Sequence, residues 1–368
     1  MLLDDLAQGL PAFAARAASR PDTYPAEDVD VLRRLGAFGA PFPRALGGRD
    51  SSLVEMTRAV EAIAAEAPST ALLAAMPMGL AGVLATPADA LPSEHRMAWR
   101  NQVDRIASEY REGKLFAACN SEKGAGGSLA ATRTVARPDA DGAIVLDGEK
   151  ILASFGANAD VFFSTAKVAV EGAPEEARVE FFLVDARAPG VRIASDWNGF
   201  GMRGTESHTV HYTGAAVRER LGCPGFIERV RPLQYWFCLF AAIPLGCAAA
   251  VLRTLGEPAP SSPALRLRLS DALMRYESLR AYLHETAAAW RPAADAAYAA
   301  RVLRTKTYVT QEATRLAAEM FALGGGRHYV RGGRLAGALA DAFAGTALRP
   351  PLPLALDQLI EGFTLGDL

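Results

Sequence analysis

Apolar residues recur at helical spacing through the first third of the chain. They lie three and four positions apart, which places them on one face of an α-helix. The clearest segments are 29–35, 53–63 and 70–76. Proline and glycine residues interrupt the pattern, so several helices of ordinary length are joined by short loops. We therefore expect an all-α domain at residues 1–114.

Between about Leu115 and Gly225 the pattern changes to short runs of β-branched and aromatic residues. Clusters of turn-forming residues, such as 138–142, separate these runs at the spacing typical of an antiparallel barrel or sandwich. The runs are 132–136, 161–170, 179–184, 191–194 and 208–212. The sequence therefore predicts a central β-domain at residues 115–225.

From Leu233 onward the chain is helical again. Long segments rich in alanine and leucine are joined by short loops, which favours an antiparallel bundle. The predicted helices lie near 233–255, 264–290, 293–323 and 352–364, with a glycine-rich turn at 324–326. We assign residues 226–368 to a C-terminal helical bundle, so the fold is mainly α with an inserted β-domain.

Composition narrows the possible partners. Half of the 368 residues are hydrophobic and the formal net charge is −2, so we expect neither nucleic acid nor a membrane surface as a partner. The apolar stretch nearest to the roughly 18 to 20 residues of a membrane span is 235–252, which a bundle helix explains as well. Acidic residues follow Met1 where a signal peptide would carry bases. These features favour a cytoplasmic protein.

The cysteines and histidines do not indicate a metal site. The four cysteines lack the spacing of metal ligands, and three of them lie in apolar surroundings. The five histidines include no pair four residues apart on a helix. We expect core-packed free thiols and no bound metal.

Two neighbouring segments carry the chemistry of a binding site. Residues 116–128 end in a loop of glycines and hydroxyl side chains, and residues 146–160 supply a strand with another hydroxyl. Backbone N–H groups of a glycine-rich turn, with hydroxyls beside them, suit a pyrophosphate or the polar edge of a flat anionic cofactor. A glycine-rich turn that binds nothing is the alternative that the residues alone leave open.

These segments resemble the flavin-binding β-domain of the acyl-CoA dehydrogenase family. The α, β, α order covers nearly the whole chain and is similar to that family too, as are 36–48, 201–207 and 324–326. The resemblance implies FAD as cofactor. It also implies an acyl thioester, carried on CoA or on an acyl carrier protein, as substrate, and assembly as a homo-oligomer, either dimer or tetramer, or pairing with a related subunit.

The resemblance assigns cofactor-binding residues in the first segment. Ser121 corresponds to the hydroxyl residue that bonds the pyrimidine edge of the flavin, and Asn120 precedes it. Gly127 and Ser128 lie where the family's loop meets the FAD pyrophosphate.

Further cofactor contacts are implied by the second segment and by the glycine turn. Leu152 matches the side chain that packs against the flavin ring, where many members carry tryptophan. Ser154 matches the hydroxyl near the reactive nitrogen, and Ala153 lies between the two; an ordinary serine at a strand end is the alternative. Gly324 and Gly325 match glycines that approach the adenine half of an FAD held by a neighbouring subunit, and they suit a helix end equally well.

The catalytic base of the family is missing from both of its usual positions. Dehydrogenation of a thioester needs a carboxylate to remove the α-proton. The matching positions hold Arg349 and Trp236, and arginine stays protonated at any working pH. Glu361, in a segment that superficially resembles the family's glutamate motif, is the remaining candidate.

Three functions therefore stay open. The sequence favours an FAD-dependent oxidoreductase acting on CH–CH groups of an acyl thioester. A flavin-dependent monooxygenase of the same fold needs no carboxylate base, because the reduced cofactor supplies the chemistry. A non-catalytic acyl-binding or scaffolding homologue is the third possibility.

Overall fold

The computed structural model describes residues 2–170, 173–292, 295–330 and 333–361. The N-terminal part of the chain is helical, as predicted. Its helices are α1 (Leu2–Ala7), α2 (Leu10–Ser19), α3 (Ala26–Arg34), α4 (Leu53–Ala64), α5 (Pro68–Leu84) and α6 (Arg96–Arg111). Ser52 and Glu55 start α4 with a reciprocal capping box, which satisfies backbone N–H groups that the first turn leaves free. Nearly all of α5 is buried, so it forms the centre of this domain.

A single curled sheet follows, as the prediction of an inserted β-domain requires. Within the described residues its strands are β1 (Phe116–Cys119), β2 (Val135–Pro138), β3 (Ile144–Ala153), β4 (Val161–Val170), β5 (Ala173–Asp185), β6 (Val191–Ile193), β7 (His208–Ala216) and β8 (Glu219–Arg220). The main order is β6-β7-β3-β2-β4-β5-β8. Most neighbours are antiparallel, but β1 and β2 both pair with β4 in parallel, which the sequence does not predict.

The C-terminal part is a helical bundle around one central helix. It contains α7 (Phe226–Val230), α8 (Leu233–Gly256), α9 (Pro263–Ala288), α10 (Ala296–Leu323), α11 (Arg334–Ala347) and α12 (Leu352–Glu361). Helix α8 packs against α4 and α5 of the N-terminal domain and against α9, α10 and α11. By length and composition α8 could cross a membrane, but 89% of its most apolar window is buried in the protein, as in a core helix.

Helix α11 is the main element that the sequence pattern does not predict. Gly337 and Gly345 lie inside it, and glycine weakens the helical signal of so short a segment. Packing overrides propensity here, because a Cβ built on Gly345 would lie 2.8 Å from Pro244 Cγ of α8. The predicted final helix corresponds to α12, and its predicted residues 362–364 lie outside the described residues.

One buried carboxylate joins the N-terminal helices to the bundle. Glu61 on α4 accepts hydrogen bonds from Tyr276 Oη at 2.5 Å and Arg280 Nε at 2.8 Å, both on α9. His284 Nε2 lies 2.8 Å from the second carboxylate oxygen. Burial alone would raise the pKa of Glu61, but these partners outweigh it and the pKa lies below its ordinary value. The contact fixes α9 against α4 and thereby the position of the bundle.

Candidate active site

A cavity of ≈ 290 Å³ lies where α5, the sheet, α8 and α11 meet. Its walls are mostly apolar, and aromatic rings supply much of the surface. The aromatic residues include Phe163 of β4, Trp236 and Phe240 of α8, and Phe343 of α11. Met76 of α5 adds a further apolar side chain. All three parts of the fold therefore contribute to one chamber.

Hydroxyl and amide groups line one side of this cavity. The backbone N–H of Ile151 donates to the Ser121 carbonyl at 2.8 Å, which brings the glycine-rich loop beside β3. Asn120, Ser121 and Ser154 consequently line the same chamber. The Asn120 Oδ1 atom is buried without a hydrogen-bond partner among the described residues. This acceptor is therefore available to a hydrogen-bond donor of a bound ligand.

The Ser154 hydroxyl belongs to a chain of hydroxyl groups. Ser154 Oγ lies 3.0 Å from Ser207 Oγ, which lies 2.7 Å from Thr205 Oγ1. Thr205 Oγ1 in turn donates to the Met202 carbonyl at 2.8 Å. Ser207 also lines the cavity; it ends the family-like segment 201–207, to which the sequence assigns no site role. This chain fixes the Ser154 hydroxyl, which argues against an unconstrained serine at a strand end.

Leu152 presents its side chain to the cavity because the strand is irregular at this point. The register between β3 and β7 shifts between Lys150 and Ala153, and Leu152 adopts a φ of 59°. Positive φ is unfavourable for a branched residue, and such strain is retained mostly at functional sites. The side chain is 46% exposed although it is large and apolar, whereas Ala153 is buried in the sheet. The irregularity therefore leaves an apolar surface free for a ligand.

The glycine-rich loop is held by the segment that precedes α12. Gly124, Gly126 and Gly127 all have positive φ, which only glycine adopts without cost. A Cβ built on Gly127 would lie 2.3 Å from Pro351 Cδ, so no larger residue fits there. Ser128 N donates to the Ala125 carbonyl at 2.9 Å, closing a turn. Gly127 and Ser128 are not among the residues that line the chamber.

Arg349 is the one charged side chain among the described residues that line the cavity. Its Nη1 donates to the Gly127 carbonyl and its Nη2 to the Asn120 carbonyl, each at 2.7 Å. Nε is buried without a partner among the described residues. Burial lowers the pKa of Arg349 to about 10, so the guanidinium remains charged at neutral pH. These two hydrogen bonds place the charge of Arg349 in contact with the predicted cofactor loop.

Neither the matched position Trp236 nor the candidate Glu361 provides a carboxylate base in the cavity. Trp236 is buried, donates from Nε1 to the Ala75 carbonyl at 3.1 Å and stacks on Phe163 at a centroid distance of 5.3 Å. Glu361 is exposed at the end of α12 and does not line the cavity. Among the described lining residues there is no carboxylate at all.

A buried ion pair that the sequence does not reveal supports the site. Glu122 accepts from Lys150 Nζ at 2.6 Å, from Thr134 Oγ1 at 2.7 Å and from the backbone N–H of Arg133 at 2.6 Å. Burial works to raise the pKa of Glu122, but Lys150 outweighs it, and the pKa lies below its ordinary value. The carboxylate ties both ends of the glycine-rich loop to β3. Sequence alternation marks Lys150 as a strand residue, but it cannot show the partner 28 positions away.

A second buried lysine anchors the segment that carries Arg349. Lys306 Nζ on α10 donates to the carbonyls of Gly345, Leu348 and Pro350 at 3.1, 2.7 and 2.7 Å. The ammonium group thus satisfies backbone acceptors that the end of α11 leaves free. Burial lowers the pKa of Lys306 to about 7. No spacing rule in the sequence would have identified this residue.

The mouth of the cavity is formed by the loop that precedes β7. Phe200 is 78% exposed and meets Phe343 edge to face at 6.4 Å between centroids. Asp341 of α11 holds this loop, because its Oδ1 accepts from Met202 N at 2.6 Å. Burial raises the pKa of Asp341 to about 6.

Gly324 and Gly325 lie away from this chamber, at the end of α10. Gly324 caps the helix, Gly325 has a φ of 71°, and a Cβ built on Gly325 would meet nothing within 4 Å. The geometry is that of a helix end with one open side. Their contact with a cofactor of a neighbouring subunit stays a prediction.

Comparison with protein families settles the relationship of the chain. Residues 5–89 match the model of the acyl-CoA dehydrogenase N-terminal domain, and residues 117–215 match that of the acyl-CoA dehydrogenase middle domain. Together the matches cover half of the chain. The protein belongs to the acyl-CoA dehydrogenase superfamily. The fold class predicted from the sequence is thereby confirmed.

Individual proteins similar to the chain carry different names and ligands. The chain is 24% identical over 346 residues to the probable acyl-CoA dehydrogenase YngJ of Bacillus subtilis, covering 90% of this chain and 87% of that protein. The structure of KijD3 in complex with FMN and an amino-keto-sugar nucleotide is similar with a TM-score of 0.85 and 23% identity, covering 98% and 92%. TdsC from Paenibacillus sp. A11-2, with FMN and indole, gives a TM-score of 0.82 at 20% identity, covering 100% and 97%.

Proposed function

We propose that the protein is a flavin-dependent monooxygenase that uses reduced flavin and O₂ on a small, largely apolar organic substrate. The observation that carries this proposal is the composition of the cavity. Its described lining consists of apolar side chains, a few hydroxyl and amide groups and the cation of Arg349, with no carboxylate. Removal of an α-proton from a thioester needs a base within hydrogen-bond reach, and this lining offers none.

The residues present fit a flavin. A flat ring with a polar edge needs an apolar surface on its face and hydrogen-bonding groups along its rim. Leu152 offers the apolar surface, while Ser121, Ser154 and the unpartnered Asn120 Oδ1 atom offer the hydrogen-bonding groups. A bound reduced flavin would supply the two electrons that, with two protons, convert one atom of O₂ to water while the other enters the substrate.

The chain's own part in such a reaction is to bind, orient and exclude water. The rings of Phe163, Trp236 and Phe240 make a dry wall, which strengthens every polar interaction inside. The chain from Ser154 through Ser207 to Thr205 fixes a hydroxyl at the edge of the chamber. Arg349 adds a fixed positive charge.

Two structural neighbours support the proposal at the level of chemistry. KijD3 and TdsC were both solved with FMN and with small organic molecules that are not acyl thioesters, and another structure of TdsC is described as dibenzothiophene monooxygenase. FAD, expected from the resemblance, and FMN are both compatible with the cavity. A homo-oligomeric state and a cytoplasmic location remain predictions, and exposed apolar side chains on α9 and α10, such as Met274 and Tyr308, support self-association.

An absorbance spectrum combined with two turnover assays tests the function. The purified protein should take up flavin, and mass spectrometry of the released cofactor identifies FMN or FAD. With a flavin reductase and NADH it should consume O₂ and insert oxygen into a member of a panel of apolar heterocycles and amines. Anaerobic addition of acyl-CoA thioesters should leave the flavin absorbance unchanged.

Each contrary outcome selects another function. Bleaching by a thioester would establish the dehydrogenase and overturn the proposal. A protein that takes up no flavin would be the acyl-binding homologue.

A further inference from the structure

The positive charge of Arg349 has no anionic partner among the described residues. No described carboxylate lies within ion-pair distance of its guanidinium, whose two recorded hydrogen bonds both go to backbone carbonyls. Nε is buried and unpartnered. Three of the five N–H donors of an arginine are therefore uncommitted here.

Glu122, the carboxylate nearest in the site's framework, does not fill this role. It is already bonded to Lys150, to the Thr134 hydroxyl and to two backbone N–H groups. Glu122 also acts on Arg349 through space and raises its pKa, but burial outweighs this effect. A half-buried charge without an ion-pair partner gains most from a ligand that supplies the counter-charge.

The apolar walls of the chamber restrict the nature of such a ligand. Leu72, Met76, Phe163, Trp236 and Phe240 are all apolar and line the same chamber. An ion with a full hydration shell would gain nothing from these walls. An apolar or aromatic body that ends in one anionic oxygen matches both features of the chamber.

Building on the function proposed above, we infer that Arg349 is the specificity-determining residue for an anionic substrate: an apolar organic acid or phenolate whose charged oxygen pairs with the guanidinium. The same oxyanion chemistry could come from the phosphate of the flavin, since Arg349 also touches Gly127 of the glycine-rich loop. The two sources differ in what the flavin-loaded protein binds. A guanidinium already paired with the flavin phosphate would give that protein no preference for an organic anion, whereas a guanidinium that faces the substrate would give it one.

The test compares benzoate with benzamide, which have the same shape and differ in charge. Each is titrated calorimetrically into the flavin-loaded protein at constant ionic strength, and FMN and FAD affinities are measured separately by fluorescence. Variants are Arg349→Met and Arg349→Lys, with Arg268→Met on the exposed face of α9 as a matched control for loss of a charge. Thermal unfolding of each variant verifies that it is folded.

The wild type and Arg268→Met should bind benzoate at least about tenfold more tightly than benzamide. Arg349→Met should lose that preference, and Arg349→Lys should keep part of it. Equal binding of the two probes by the flavin-loaded wild type would overturn the inference, because the guanidinium would then not select an organic anion.

Failure of the proposed function gives a different result. A flavin-loaded protein that consumes O₂ but shows no preference for benzoate refutes the role of Arg349 and leaves the monooxygenase intact. A protein that takes up no flavin refutes the monooxygenase. The comparison of benzoate with benzamide in that colourless protein still decides whether Arg349 holds an organic anion.

Discussion

At the scale of single residues, the site depends on charged groups that are buried and shared between distant segments. Glu122 satisfies two backbone N–H groups, one hydroxyl and one ammonium with a single carboxylate. Lys150 depends on it in turn, since within the described parts of the chain the only other hydrogen bond of its Nζ goes to Thr165 Oγ1 at 3.2 Å. Removing one member of such a pair lowers the free energy of unfolding far more than removing both, because the remaining charge stays buried without a partner.

Lys150→Met should therefore lower the free energy of unfolding by about 3–5 kcal/mol. The double variant Lys150→Met with Glu122→Gln should recover a large part of this loss, because no charge is then left uncompensated. Lys114→Met is the control. The Lys114 side chain is partly exposed and its Nζ lies 3.3 Å from Glu109 Oε2, so this variant should lower the free energy of unfolding by less than about 1 kcal/mol. Urea unfolding measures all three. A double variant less stable than Lys150→Met would contradict this expectation and show that Glu122 is stabilised by its Arg133 and Thr134 donors without Lys150.

Sequence reasoning at this scale depends on motifs that are local. The two segments around Ser121 and Ser154 lie in one cavity, and their contact with a cofactor stays a prediction. Ser207, Glu122 and Lys306 could not be identified in this way. Each acquires its role from a partner in another part of the fold, and one sequence contains no record of such pairings.

At the scale of elements, α11 and its connection to α12 determine where Arg349 lies. Helix α11 supplies Phe343 and Asp341, and the three carbonyls held by Lys306 fix the chain just beyond it. Sequence periodicity identified the long helices because each has many apolar positions to define a face. It missed α11 because close packing, which only tertiary structure reveals, requires glycine there.

Two glycines of α11 make a matched pair for testing this explanation. Gly345→Ala places a methyl group 2.8 Å from both Pro244 Cγ and Thr310 Cγ2, and overpacking of this kind costs about 1–3 kcal/mol. A Cβ at Gly337 meets nothing within 4 Å, so Gly337→Ala should stabilise the protein by about 0.5–1 kcal/mol through helix propensity. Chemical unfolding of both variants gives the comparison. Equal effects of the same sign would contradict packing as the reason for Gly345.

Lys306→Met should loosen the end of α11 more than it disturbs the rest of the bundle. The substitution leaves three carbonyls without their donor, and each buried unsatisfied group costs about 1–3 kcal/mol unless water reaches it. Hydrogen exchange should accelerate mainly in residues 345–351. Lys306→Arg keeps the charge and the donors, so it should show a smaller effect. Uniform acceleration over α8, α9 and α10 would indicate a general loss of stability instead.

At the scale of the whole molecule, three structural parts meet around one chamber, and Asp341 lies at one of these junctions. It connects α11 of the bundle to the loop before β7 through Met202 N. Its pKa of about 6 lies above the ordinary value of 3.8. Between these values the folded protein holds a proton that the unfolded chain has released, so this group favours folding less and less as the pH rises from about 4 to about 6.

Asp341→Asn should remove that dependence. Asparagine keeps an acceptor for Met202 N and carries no charge, so the variant should gain stability relative to the wild type as the pH rises from 4 to 7, on the order of 2 kcal/mol. Urea unfolding of both proteins at several pH values yields the difference directly. The difference between the two proteins is needed because other carboxylates also make stability depend on pH. Glu61, whose pKa is lowered, stabilises the fold at neutral pH and loses this effect as the pH falls. A difference that does not vary with pH would show that Asp341 is ionised throughout.

The hydrogen bond from Arg349 to Gly127 spans 222 positions of the chain. A ribosome adding roughly 5–20 residues per second needs on the order of 10 to 45 seconds to make the intervening stretch. The β-domain emerges first and must persist through that interval with its binding loop unsupported and its apolar chamber open to solvent. Assembly of the chamber is therefore a late event in biosynthesis, timed by translation of the segment that follows α11.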